Sequence, residues 1–71
     1  MKYKYLFTFH TVDNHVVELS TTGKERVDEA DMLNALYRQG YMVGNRHYTE
    51  ELTLVNMTNV VTVKVRIEEV L

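Results

Sequence analysis

Apolar and polar positions alternate along this chain with two different periods. Residues 2–11 and 16–21 alternate with a period of two, which is typical of strands that bury one face. Residues 28–39 follow the longer period of an amphipathic helix, and residues 52–55 and 59–67 return to a period of two. The pattern therefore predicts the element order β-β-α-β-β.

The first alternating segment, KYKYLFTF at residues 2–9, separates aromatic from basic side chains. Its tyrosines and phenylalanines fall on one face and its lysines on the other. For the aromatic residues to share a face with Leu19, the loop to the second strand must contain an odd number of residues. A three-residue loop meets this condition, either Asp13-Asn14-His15 or the three residues one place earlier. The segment thus predicts a hairpin with its aromatic face towards the core.

The helical segment carries start and stop signals at both ends. Asp28 is suited to cap the N-terminus, and acidic residues follow it where the helix dipole is positive. Arg38 in the last turn and Gly40 just beyond it predict the end of the helix. The apolar stripe of this helix comprises Met32, Leu33, Leu36 and Tyr37.

The last two alternating segments predict a second hairpin. Leu52 and Leu54 share a face with the inward valines of residues 59–67 only if the loop has an even length. The four residues 56–59 meet this condition and place Val55 opposite Val60 on the other face. Residues 41–51 remain open: a strand could begin at Tyr41, and Gly44-Asn45 has the composition of a turn.

The elements combine into an α+β fold with two layers, in which one helix packs on one face of a four-stranded antiparallel sheet. The 71 residues form a single domain, residues 1–71. A domain of this size buries a smaller share of its surface than a larger one, which favours association with a partner or with itself.

Composition narrows the location and the class of partner. Ten acidic and eight basic residues give a net charge of −2, whereas dedicated nucleic-acid domains are clearly basic. Cysteine is absent, no apolar run has the length of a membrane span, and the N-terminus lacks the pattern of a signal peptide. We therefore expect a cytoplasmic protein with no membrane partner.

The residue types used in catalysis and metal binding do not form a recognised pattern here. His10, His15 and His47 lack the spacing of a metal site, and Ser20 faces outward on the second strand without an activating motif. The neighbouring glutamates at 50–51 and 68–69 point to opposite faces of a strand. We expect no catalytic residue, no metal and no cofactor, and hence a protein that is not an enzyme.

Apolar residues on the outer face of the predicted sheet indicate protein binding. Such residues, on a domain with a small core, favour a homodimer or an unidentified protein partner that docks there. The candidate interface consists of the outer-face residues Leu6, Val16, Val55 and Val60 and the loop residues Arg46, His47 and Tyr48.

Nucleic-acid contact is the alternative function. If the first and last strands are neighbours, four basic residues lie together on the helix-free face, where they could contact phosphates. The aromatic residues that could stack on bases point the other way, which makes this function less favoured than protein binding. The candidate phosphate contacts are Lys2, Lys4, Lys64 and Arg66.

The C-terminal segment LTLVNMTNVVTVKVRIEEV resembles the closing hairpin of many small uncharacterised proteins from Gram-positive bacteria and their phages and mobile elements. In those proteins a strand, an Asn-x-x-Asn turn and a valine-rich strand with an acidic end follow a short helix. The resemblance covers about 20 residues. It implies an accessory protein of a phage or mobile element, of the kind that binds and inhibits or redirects a host protein, including inhibitors of bacterial immune nucleases.

Overall fold

The computed structural model describes residues 2–46 and 49–70. These residues form an α+β fold with one α-helix and an antiparallel sheet of five strands, so the predicted class is confirmed and the predicted strand number is one too low. The elements are β1 (Lys2–Thr11), β2 (Val16–Gly23), α1 (Glu29–Gln39), β3 (Tyr41–Arg46), β4 (Leu52–Asn56), the 3-10 helix Met57–Asn59 and β5 (Val60–Val70).

The first predicted hairpin is confirmed by the pairing of β1 with β2. Phe7 lies opposite Leu19, so the aromatic face of β1 points into the core together with Leu19. The N–H of Thr11 donates to the carbonyl oxygen of His15 at 2.9 Å, and Asn14 adopts a φ of 66°. This bond closes a three-residue loop, 12–14, which is the second of the two loops predicted from the sequence. Asn14, the last residue of the loop, takes the left-handed conformation that asparagine tolerates.

Helix α1 has the predicted bounds because its caps are satisfied locally. The carboxylate of Asp28 accepts a hydrogen bond from the N–H of Ala30 at 3.1 Å. Gly40 adopts a φ of 83°, and its N–H donates to the carbonyl oxygen of Leu36 at 3.0 Å. Leu36 is buried in the core, whereas Tyr37 in the predicted apolar stripe is 82% exposed.

Residues 41–46 form strand β3, so Gly44-Asn45 is not the turn that its composition suggests. Gly44 instead permits a close approach between β3 and β2. A Cβ atom at Gly44 would lie 3.1 Å from the carbonyl oxygen of Ser20, closer than ordinary contacts allow.

The predicted second hairpin is wrong. Strand β4 pairs with β3 and strand β5 pairs with β1, in the order β4-β3-β2-β1-β5, so β4 and β5 lie at opposite edges of the sheet. The predicted faces of β4 are also reversed: Leu52 and Leu54 are 70% and 59% exposed, and Val55 is 7% exposed. The physical reason is that β4 takes its register from β3, whose Met42 points into the core opposite Val55.

The sheet must curl strongly to connect these two edges. Asn56 and Val60 lie at most about 14 Å apart along the chain, whereas the edges of a flat five-stranded sheet lie about 19 Å apart. The N–H of Met57 donates to the carbonyl oxygen of Gly40, and the N–H of Val12 donates to that of Asn59, both at 2.9 Å. These two bonds hold the 3-10 connection against the start of β3 and the end of the β1 strand.

The core lies inside this curl, with helix α1 in contact with β3 and β5. The rings of Phe7 and Phe9 stack with their centroids 6.1 Å apart. Within the described residues, no helix has the length and apolar character needed to cross a membrane. The buried apolar residues are Tyr5, Phe7, Phe9, Leu19, Leu36, Met42 and Val55.

Candidate protein-interaction surfaces

The outward face of the β3–β4 hairpin is apolar. Val43 lies directly opposite Leu54 in the antiparallel register, and Tyr41 and Leu52 flank this pair. Tyr41 and Val43 are each 44% exposed, and the two leucines are more exposed still. We call these four residues, Tyr41, Val43, Leu52 and Leu54, the hairpin patch.

The hairpin patch forms because both faces of β3 and β4 carry apolar side chains. Alternate residues point in opposite directions along a strand, and Met42 and Val55 occupy the inward positions. The residues of the patch must then point to solvent. At the loop end of the hairpin, the N–H of Arg46 donates to the carbonyl oxygen of Glu51 at 2.9 Å, which fixes the two strands relative to each other.

The outer-face residues predicted as an interface do not form one surface. Leu6 is half-buried on the outer face of β1, and Val16 is 50% exposed at the end of that face. Val55 is buried against the core, so its predicted exposure is wrong for the register reason given above. Val60 is half-buried at the start of β5 and lines a separate groove.

Of the three predicted loop residues, the structure describes one, Arg46. Arg46 is exposed at the end of β3, one residue beyond the Asn45–Leu52 pair at the edge of the hairpin patch. His47 and Tyr48 lie outside the described residues. Arg46 alternates with the residues of the hairpin patch and shares the parity of the inward Met42, so it does not belong to that patch.

A second apolar surface lies between the end of α1 and the start of β5. It is a groove of about 410 Å³ with the exposed ring of Tyr37 on one side and the exposed Val61 on the other. Gly40 lacks a side chain there, and no atom lies within 4 Å of where its Cβ would be. The lining residues are Tyr37, Gly40, Met57, Thr58, Val60, Val61, Thr62 and Val63.

The four predicted phosphate contacts share one face of the sheet, because β1 and β5 are neighbours. Acidic side chains lie among them: Lys4 is opposite Glu68, and Glu68 also accepts a hydrogen bond from Arg66 at 2.9 Å. Lys64 and Glu18 lie on the two sides of Thr8. This face therefore carries mixed charge. Its basic members are Lys2, Lys4, Lys64 and Arg66.

In the described part of the chain, no group of three or more His, Cys, Asp or Glu side chains is arranged to hold a metal ion. His15 lies in the first loop with its Nδ1 atom 3.2 Å from the carboxylate of Asp13. A hydrogen bond from the hydroxyl of Thr11 lowers the pKa of Asp13, and the backbone N–H of Asp13 and the charge of His15 lower it further. These contacts hold the turn together.

Sequence reasoning missed the hairpin patch because it assigned Leu52 and Leu54 to the core. The available signal was that residues 41–43 and 52–55 are apolar at both odd and even positions, which is more apolar surface than one buried face requires. No protein-family model, curated protein or solved structure gives a significant match to this chain.

Proposed function

We propose that this protein is a non-enzymatic protein-interaction module that binds another protein through the hairpin patch. The observation that carries the proposal is the cross-strand pair Val43–Leu54, which is exposed on a hairpin whose opposite face already supplies the core. Small soluble domains rarely leave contiguous large apolar side chains in water unless another molecule covers them.

The surroundings of the patch indicate the chemistry of the partner surface. Asn45 and Asn56 lie opposite patch residues and can form hydrogen bonds at the border of an interface. Glu50 and Glu51 are exposed and precede Leu52 directly. A partner surface with an apolar centre and basic side chains at its rim complements this arrangement.

The role that fits such a module is to occupy a surface of its partner. The resemblance of the C-terminal segment to small proteins of phages and mobile elements supports a host protein as that partner. Binding of this kind requires a rigid apolar surface rather than a pocket with reactive groups. The β3–β4 hairpin is held against β2 near its loop end, where Gly44 approaches Ser20 closely, and this contact supplies that rigidity.

Affinity enrichment with a matched pair of variants tests the proposal. The variant L54E places a charge in the patch, and N34E adds the same charge at an exposed position of α1. We expect the wild type and N34E to retain the same protein from a bacterial lysate and L54E to retain at least about tenfold less, since one buried charge opposes binding by more than 1.4 kcal/mol.

The enrichment must be read together with the fold of each variant. Circular dichroism should give the same spectrum for all three proteins, because both substituted positions are exposed. A partner retained equally by L54E and the wild type would place the binding surface elsewhere. Failure of the wild type to enrich any protein over empty resin would also contradict the proposal.

Nucleic-acid contact is the second candidate function, supported by the shared face of Lys2, Lys4, Lys64 and Arg66. Its support is weaker than that of the hairpin patch because Glu18 and Glu68 interrupt the basic residues. The aromatic rings of β1 are also buried on the opposite face. Electrophoretic mobility of short nucleic acids at two salt concentrations tests it, and no salt-sensitive shift at micromolar protein would rule it out.

A further inference from the structure

Strand β5 presents an open edge. Ten of its eleven residues pair with β1 on one side, and in the described part of the chain no strand lies beyond it on the other. His10 pairs with Thr62 and Thr11 pairs with Val60, so the pairing passes over Val61 as a bulge. From residue 62 to residue 70 the strand is regular and contains no proline, so its outer backbone groups form a continuous row.

The hydrogen bond of the first loop shows which backbone groups form this row. The N–H of Thr11 donates to His15 on the β2 side, and N–H groups alternate in direction along a strand. The backbone N–H and C=O groups of odd-numbered residues of β1 are therefore directed to β2, and those of even-numbered residues are directed to β5. The register pairs even residues of β1 with even residues of β5. The groups directed to the open edge are those of Val63, Val65, Ile67 and Glu69.

We propose that two copies of this chain associate through this edge, with their β5 strands antiparallel and a two-fold axis at Ile67. In this register Arg66 of each copy lies opposite Glu68 of the partner subunit, and the outward groups of Val65 pair with those of Glu69 of the partner subunit. The overlap covers residues 64–70. Two identical ion pairs and a continuous ladder of hydrogen bonds then join the two sheets.

Charge selects this register from its neighbours. An axis at Arg66 would bring the two copies of that guanidinium face to face in a non-hydrogen-bonded pair, where side chains are closest. An axis at Val65 would place Lys64 of each copy opposite Arg66 of the partner subunit. The axis at Arg66 would also pair Lys64 with Glu68 of the partner subunit, but the axis at Ile67 is the one of the three that forms two opposite-charge pairs and no like-charge pair.

This association is closed and independent of the hairpin patch. A two-fold pairing uses the β5 edge of both copies, so it joins two chains and leaves no β5 edge for a third. The hairpin patch lies on β3 and β4, on the far side of the sheet order from β5. Failure of one proposal therefore leaves the other intact.

Charge exchange between Arg66 and Glu68 tests the register. We expect the wild type to sediment as a dimer, with twice the monomer mass of 8.4 kDa, at tens of micromolar. The variants R66E and E68R each place like charges across the axis, so each should shift to monomer. A one-to-one mixture of the two restores both ion pairs and should return the dimer, as should the double variant R66E/E68R.

Matched controls use the exposed ion pair between Arg26, which precedes α1, and Glu29, the first residue of α1. The guanidinium nitrogen and the carboxylate oxygen of this pair lie 3.2 Å apart. The variants R26E and E29R make the same changes in net charge away from β5, and both should remain dimeric. Monomeric R26E would show that net charge rather than cross-strand pairing controls association.

Amide hydrogen exchange supplies a residue-specific readout. In the dimer the amides of Val65, Ile67 and Glu69 should be protected, and their protection should rise with protein concentration and fall in R66E. A wild type that sediments at 8.4 kDa at tens of micromolar, or a dimer in which these three amides exchange freely, would overturn the proposal.

Discussion

Truncation of two adjacent residues on β4 distinguishes the observed register from its opposite. Leu54 and Val55 point to opposite faces, and the structure places Val55 in the core and Leu54 in the hairpin patch. We predict that Val55→Ala destabilises the protein more than Leu54→Ala, although leucine is the larger side chain. The reversed register predicts the opposite order.

The expected magnitudes follow from exposure. Val55→Ala removes two carbon atoms from a site that is 7% exposed. At about 0.8 kcal/mol per buried carbon, with a small cavity term, the free energy of unfolding falls by about 2 kcal/mol. Leu54→Ala removes three carbon atoms, but this side chain is already 59% exposed. Leu54→Ala therefore lowers the free energy of unfolding by about 1 kcal/mol, because solvent fills the space that the side chain leaves.

Urea unfolding followed by circular dichroism measures both values. A domain of this size has an m-value of about 1 kcal/mol/M, so the midpoint should fall by about 2 M for Val55→Ala and about 1 M for Leu54→Ala. Val43→Ala is the matched control, because it makes the same chemical change at a site that is 44% exposed on the neighbouring strand. A larger loss for Leu54→Ala than for Val55→Ala would refute the register and, with it, the hairpin patch.

Two further substitutions test contacts that fix the loops. The buried hydroxyl of Tyr5 donates to the carbonyl oxygen of Glu25 and accepts from the N–H of Val27, so Tyr5→Phe should lower the free energy of unfolding by about 1–3 kcal/mol in urea unfolding. An unchanged midpoint would show that these bonds add nothing. Thr11→Val removes the main cause of the lowered pKa of Asp13, which NMR titration should show as a rise towards its ordinary value of 3.8. A carboxylate with a lowered pKa stabilises the folded state above its unfolded pKa and loses this effect as pH falls through the folded pKa, so the variant should lose less stability on acidification in that window.

Local signals in the sequence predicted the parts of the fold that depend on near neighbours. The bounds of α1 follow from a side-chain cap at Asp28 and a left-handed residue at Gly40, and both act within one turn of the helix. The first hairpin follows from the parity of one short loop. In each case the residues that decide the structure are adjacent to it in sequence.

Strand pairing at long range could not be predicted in the same way. The segment LTLV has apolar residues on both faces, so its alternation is compatible with either register, and only the pairing of Val55 with Met42 selects one. Gly44 has the composition of a turn, yet it serves a strand that approaches Ser20 closely. The hairpin patch depends on both features, which is why the candidate site was harder to predict than the fold class.

The position of β1 between β2 and β5 also bears on how the chain folds during synthesis. Strand β1 carries all three buried aromatic residues of the described chain, yet one of its two partners is made only when residues 60–70 emerge from the ribosome. Until then the strand that carries these rings has one unpaired edge, and the rings lack Val63, Val65 and Ile67 beside them. Closing this pairing requires a loop that spans most of the domain, which slows folding relative to local hairpin formation. The nascent chain is therefore most exposed to aggregation, and most in need of a chaperone, in the interval before β5 docks.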